Sequence, residues 1–273
     1  MSRLRIRPRT PAADGTVLSV TPESAGWSHV GFKVVKLADG QRHDGGDAGR
    51  EACLVLVSGS ADILAGGERF DDVGGRVSPF EDRAPGAAYV PAGVQWSVLA
   101  RGDVELAVCT APGTGQGAPR LIAEADMSRE VRGSGTNTRH VRNILPETQP
   151  ADALLVVEVV TPAGHWSSYP PHKHDAAMPG EETVLEETYY HRVSPPQGFA
   201  FQRVYSADRS LDEAIAVEDG DVVLVPRGYH PVGAAHGYDL YYLNVMAGPE
   251  RRWLFRNDPD HAWIVAPPPS PEA

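Results

Sequence analysis

Gly220-Asp221-Val222-Val223-Leu224-Val225-Pro226-Arg227-Gly228-Tyr229-His230 reads as a short strand halted by a Pro-x-Gly turn that delivers an imidazole. A β-branched run favours extended backbone, and Pro226 ends it because proline has no N–H to give a ladder. The same arrangement stands earlier, in Gly86-Ala87-Ala88-Tyr89-Val90-Pro91-Ala92-Gly93. The two lie about half the chain apart, the separation expected of two copies of one β-rich unit of ordinary domain size.

Working outward, short apolar runs between turn residues recur throughout. Leu54–Val57, Val104–Val108, Leu154–Val160, Phe199–Tyr205 and Tyr241–Val245 have the length and residue types of strands. With 28 Gly and 24 Pro spread over 273 residues, the punctuation suits many short strands better than helices. Helix is expected only as one turn at Ser210–Ala214. The chain therefore divides into an N-terminal unit (1–115), a polar, turn-rich connection (116–150) and a C-terminal unit (151–273).

The C-terminal unit holds the chemistry. A strand points alternate side chains to one face, so His172 and His174 project together while Lys173 turns away. Two imidazoles on one strand, a carboxylate from Glu186-Glu187 and a third imidazole at His230 would form a metal site with positions left open. A lone histidine is by default a hydrogen-bonded core or surface residue, and His29, His43, His165, His236 and His261 are read so. After Pro91-Ala92-Gly93 comes Val94-Gln95-Trp96, with no histidine, so the first unit is expected to bind no metal.

His172-x-His174, a later glutamate and Gly220-x5-Pro226-x-Gly228-x-His230 resemble the two metal motifs of the cupin superfamily. Longer strings go further: Arg142–Pro146, Leu185–Arg192, Pro196–Phe199, Phe201–Tyr205, Gly220–Pro231, Leu240–Gly248 and Asn257–His261 are similar to the 5-deoxy-glucuronate isomerase family of bacterial myo-inositol catabolism. That resemblance implies an all-β bicupin, two jelly-roll barrels in one chain, with the metal in the second barrel. Its ligands would be His172, His174, Glu187 and His230. The chain departs from the common cupin pattern in two places. Residues Asp175–Val184 lengthen the gap between His174 and the glutamate, so that loop must bulge out, and the last histidine comes one residue early. Alternation puts Glu187, Tyr189 and His191 on one strand face and Glu186, Thr188 and Tyr190 on the other, and the cupin pattern selects Glu187.

The implied reaction is an aldose–ketose isomerisation of 5-deoxy-D-glucuronate to 5-dehydro-2-deoxy-D-gluconate. Such an enzyme needs a divalent ion, with zinc expected ahead of manganese, iron, cobalt or nickel. It also needs a proton shuttle, for which Glu186, His191, Tyr205 and Tyr189 are candidates. Arg203 is the expected partner of the substrate carboxylate, with Lys173 or Gln202 as lesser options, and Tyr241, Tyr242 and Tyr229 as pocket walls. The other readings are a ketol-isomerase for a 4-deoxy hexosulose uronate, a cupin dioxygenase, and a sugar-binding bicupin without turnover.

Composition narrows the partners. A formal charge of −11 disfavours nucleic acid, whose phosphates need a basic surface. No apolar run reaches the ~20 residues of a membrane helix, and no apolar segment follows the basic N-terminus. Cys53 and Cys109 are expected to be reduced buried thiols. The expectation is a cytoplasmic enzyme with a small sugar-acid substrate, and exposed strand edges make a homo-oligomer plausible.

Overall fold

The computed structural model describes residues 2–265; the end of the expected C-terminal unit, 266–273, lies outside them. Almost all regular structure is strand. The first sheet runs in the order Thr16–Val20, Gly31–Leu37, Trp96–Pro112, Arg50–Ala65, Gly86–Val90, Arg120–Ile122. The second runs Ser128–Arg132, Arg139–Leu145, Leu155–Thr161, Asp239–Ala247, Glu186–Ser194, Val222–Val225, Arg5–Ile6. Five strands of each follow the same order. Gly86–Val90 and Val222–Val225, the two runs that end in Pro-x-Gly, occupy the same place in it.

Arg50–Ala65 and Trp96–Pro112 are long enough to bend over, and Ser60–Ala65 pairs on with Trp96–Arg101 beyond the bend, closing the first barrel. Leu54, Leu56, Ile63, Val98 and Leu106 fill its inside. The second barrel closes with a separate sheet of Trp166–Ser167, Val232–Ala234, Phe199–Tyr205 and Asp212–Glu218. The barrels pack face to face. Phe32, Val55 and Cys109 from the first share one core with Tyr190, Leu224 and Val245 from the second. Cys53 and Cys109 sit opposite each other on paired strands as buried free thiols.

Strand pairings run across the expected unit boundaries. Arg5–Ile6 pairs with Val222–Val223, so the start of the chain joins the second barrel's sheet. Residues 116–150, read as a connection, carry three strands. Arg120–Ile122 pairs in the first barrel, and Ser128–Arg132 and Arg139–Leu145 pair in the second.

The helical turn expected at Ser210–Ala214 is a correction. Ser206 and Asp208 bind the backbone N–H groups of Leu211 and Ser210, closing a turn, and a strand starts at Asp212. Val217 and Ile215 alternate inward along it, a period that suits a strand and not a helix. The helical turn lies instead at Pro22–Ala25, where Thr21 and Ser24 form a reciprocal cap.

Three buried carboxylates and one half-buried one, Glu186, stitch the barrels together. Glu51 accepts from the backbone N–H groups of Asp152, Ala153 and Leu154, and Glu186 from those of Ser28, His29 and Val30. Glu105 takes Tyr190 and Arg192. Glu158 takes Arg76 through both oxygens (3.1 and 2.8 Å) together with Arg142 and Tyr241.

Candidate metal centre

His172 and Lys173 form a short strand against Arg256–Asn257, and the alternation turns the two side chains apart. Lys173 is held by Asp175 and by Glu182 at 2.8 Å. Asp175–Met178 and Glu182–Val184 pair as a hairpin, which is the form the lengthened loop takes. Asp175 also accepts the Gly228 N–H at 2.9 Å, tying the hairpin to the Pro-x-Gly turn. Gly228 has φ +87, and a Cβ there would stand 2.4 Å from the Tyr205 carbonyl oxygen. Only glycine fits that turn. Tyr229 then exchanges both backbone hydrogen bonds with Tyr205 (2.9 and 2.8 Å), which fixes the next residue, His230.

The three imidazoles meet inside the second barrel. His172, His174 and His230 each offer a nitrogen within 4.8 Å of the others, and all three are buried. Their rings pack edge to face, His172 on His230 at 4.7 Å and His174 on His230 at 5.0 Å between centroids. His174 Nδ1 lies 3.1 Å from the Leu185 carbonyl and His230 Nδ1 lies 2.8 Å from that of Gly228. A carbonyl only accepts, so Nδ1 carries the proton in both and the Nε2 lone pairs face inward.

Glu187 faces the same centre from the strand Glu186–Ser194. Its Oε2 is 3.0 Å from His174 Nε2 and 3.1 Å from His230 Nε2, while Oε1 accepts from Asn244. Burial alone would push the Glu187 carboxyl up, but the His230 and His174 imidazoles outweigh it and hold the group below its ordinary value. Burial, then His230 and His174, pushes His172 well below the usual imidazole range. For His174 burial acts downward and Glu187 overcomes it, so its pKa lies above the usual value.

The fit of this set to a metal ion rests on its lone pairs. His172 Nε2 and His230 Nε2 are buried without a hydrogen-bond partner. A neutral imidazole nitrogen and a carboxylate oxygen at about 3 Å repel unless a proton or a cation stands between them. Three imidazoles and a carboxylate converging from three segments are a donor set for a divalent ion.

One small chamber, about 30 Å³, adjoins His172. Tyr189, Tyr242, Asn244, Arg132 and Arg139 share its wall. The Tyr189 and Ser168 hydroxyls are 3.0 Å apart, and burial pushes Tyr189 well above the ordinary phenol range. Behind Tyr189, His191 stacks on its ring and meets Gln202 of the facing sheet at 2.9 Å. Burial pushes His191 down to about 4, so it is neutral at pH 7.

The other sequence candidates lie elsewhere. Glu186 points to the opposite face and binds backbone of the first barrel at 2.7–2.9 Å. Tyr205 donates to Asp258 at 2.7 Å, outside the chamber wall. Tyr241 is buried between the barrels with Glu158. Arg203 is turned outward, its guanidinium forked on Asp212 at 2.8 and 2.7 Å. The physical reason is alternation: Gln202 takes the inward position, and Arg203 beside it must take the outer one. Sequence reasoning missed Asn244, Arg132 and Arg139. Asn244 left a signal as the one polar residue in the run Leu240–Ala247.

Comparison with known proteins agrees with this geometry. The model of the KduI/IolB family matches residues 5–264. This chain belongs to that family. It is 55% identical to a 5-deoxy-glucuronate isomerase from Geobacillus kaustophilus over 265 residues, covering 97% of this chain and 96% of the relative. It is 46% identical to the enzyme of the same name from Bacillus subtilis strain 168, covering 91% and 92%. The crystal structure of an IolB-like protein from Salmonella typhimurium LT2 superposes with a TM-score of 0.94 at 50% identity, covering 97% of this chain and all of that one. Bacillus subtilis oxalate decarboxylase shares the fold at TM-score 0.64 and 14% identity, covering 94% of this chain and 80% of its own. The KduI/IolB chain is thus an all-β bicupin whose second barrel holds a buried histidine triad able to take a divalent ion.

Proposed function

We propose that this KduI/IolB protein is a metal-assisted aldose–ketose isomerase that converts 5-deoxy-D-glucuronate to 5-dehydro-2-deoxy-D-gluconate. The observation that carries the reading is the convergence of His172, His174 and His230, with Glu187 against the last two, beside a chamber. Near-full-length similarity to enzymes named for that reaction supports it. These four residues are the ligands, and zinc is the ion we assign. A divalent ion supplies Lewis acidity to the substrate carbonyl and its neighbouring hydroxyl, where enediolate charge develops.

The chain's residues do the rest. Asn244 holds one oxygen of Glu187, which leaves the other for the centre. Tyr189 Oη, held above the ordinary phenol range, stays protonated at neutral pH and shares a hydrogen bond with Ser168 at the chamber wall, so it does not act as a base. His191 positions the Tyr189 ring from behind. Glu186 and Tyr205 are structural on this reading, and Lys173 and Asp175 brace the ligand turn. In a cytoplasmic setting Cys53 and Cys109 would stay reduced.

The test is product analysis with metal-loaded protein, 5-deoxy-D-glucuronate and a 4-deoxy hexosulose uronate, alongside elemental analysis before and after chelation. Turnover of the first sugar, lost with the metal and restored with it, is expected. Protein that carries metal yet turns over only the second sugar, or neither, overturns the assignment.

A further inference from the structure

A hexuronate presents a carboxylate at the end remote from its aldehyde, and the arginine read from the sequence is already paired. Arg203 is satisfied by Asp212 on the outer face, and Lys173 by Asp175 and Glu182. The chamber beside His172 offers another cation. We propose that Arg139 receives the substrate carboxylate, which makes it the residue that selects sugar acids over neutral sugars.

Arg132 and Arg139 are direct cross-strand partners, and both line the chamber. Like charges placed opposite one another on paired strands repel. Arg132 has its own neutralisation, a fork on Glu130 at 2.8 and 3.3 Å, and it lies over the Trp253 ring. Arg139 has none. Its guanidinium reaches only two backbone carbonyls, those of Asn137 at 3.2 Å and Tyr169 at 3.3 Å. Among the described residues no carboxylate lies within ion-pair distance of it.

Arginine stays charged in proteins, and a partly buried guanidinium without a counter-ion is costly. Its planar fork matches a carboxylate at two points, and the backbone contacts fix where it stands. A second donor waits at the same wall: Trp253 Nε1 is buried and has no hydrogen-bond partner. An indole N–H only donates, so it suits a sugar hydroxyl or carboxylate oxygen. The chamber thus pairs a cation lacking its anion with a donor lacking its acceptor, beside a metal centre. The chamber as it stands is only about 30 Å³, so an open-chain uronate would supply both by parting the wall side chains as it enters.

The inference rests on the isomerase reading for its substrate, so its test includes a binding arm that needs no turnover. Metal-loaded wild type, Arg139→Gln and Arg139→Lys are titrated calorimetrically with D-glucuronate and with D-glucose. Wild type is expected to bind the acid more tightly than the neutral sugar, and Arg139→Gln to lose about 10- to 100-fold in affinity for the acid. Arg139→Lys should recover part of that loss, because it keeps the charge without the fork. Metal content should be unchanged in both variants. In the kinetic arm KM for 5-deoxy-D-glucuronate should rise in the same order. Wild type that does not prefer the acid, or a Gln variant that binds it as wild type does, overturns the proposal. Should the Gln variant not fold, undiminished affinity in Arg139→Lys has the same meaning. Absent turnover by wild type with the acid preference intact would overturn the isomerase reading and leave the carboxylate site standing.

Discussion

Two barrels with the same strand order are filled in opposite ways. Inside the first, Leu54, Leu56, Ile63, Val98 and Leu106 interlock, and the inward His43 opposite Val98 is held by the Asp14 carbonyl at 2.9 Å. Inside the second, three imidazoles, a carboxylate, His191, Gln202 and Asn244 share the space with valines. The fold tolerates either filling because its backbone hydrogen bonds close within the sheets and ask nothing of the side chains. What differs is the cost of each interior. Aliphatic packing stabilises directly, at roughly 25 cal/mol per Å² of apolar surface removed from water. Buried polar groups stabilise little and must each find a partner. The second barrel leaves several nitrogens without one, and a site of that kind persists when a solid neighbour supports it.

That contrast breaks if the barrels respond alike to substitution. His230→Ala should have the largest effect, with metal affinity falling at least about 100-fold and turnover falling with it, while the folded state survives. Elemental analysis and circular dichroism read the two halves of that statement, and metal content near wild type would remove His230 from the ligand set. Leu56→Ala should show the reverse signature. It opens a cavity in the first barrel and lowers stability by about 2–5 kcal/mol in denaturant titrations. Metal content and KM should stay as they were, and a Leu56 variant that loses metal would mean that the two interiors are coupled. Arg203→Lys sharpens the contrast from outside both barrels. An exposed ion pair contributes about 1 kcal/mol or less, so stability, KM and kcat should barely move. A raised KM would return Arg203 to the substrate site.

The strands were legible because runs such as Phe199–Tyr205 and Val222–Val225 carry their own residue types and stops. The candidate ligands were legible because His172 and His174 are two apart and His230 follows a turn that only Gly228 permits. Alternation sent Glu187 and Glu186 to opposite faces, and the resemblance to the cupin pattern selected Glu187. Alternation also said that only one of Gln202 and Arg203 could face inward, but not which, since that depends on where the facing sheet lies. Nothing local marks Glu51, Glu105 and Glu158 as buried, or Glu186 as half-covered. Each looks like a surface glutamate in a β-rich chain until a second barrel covers it with arginines, tyrosines and free N–H groups. Arg139 was hidden for the same reason: its meaning lies in the absence of a partner, and partners are a property of the fold.

The short strand at Arg5–Ile6 has a consequence for how the molecule is made. It leaves the ribosome first, yet its hydrogen-bonding mate at Val222–Val223 is synthesised on the order of 200 residues later. At ~5–20 residues per second that is a wait of about ten seconds or more. During it the first barrel can close while the leading segment stays free, and the catalytic barrel gains its final edge only when the chain returns to its own beginning. An affinity tag fused ahead of Arg5 would therefore sit beside the barrel that holds the histidine triad.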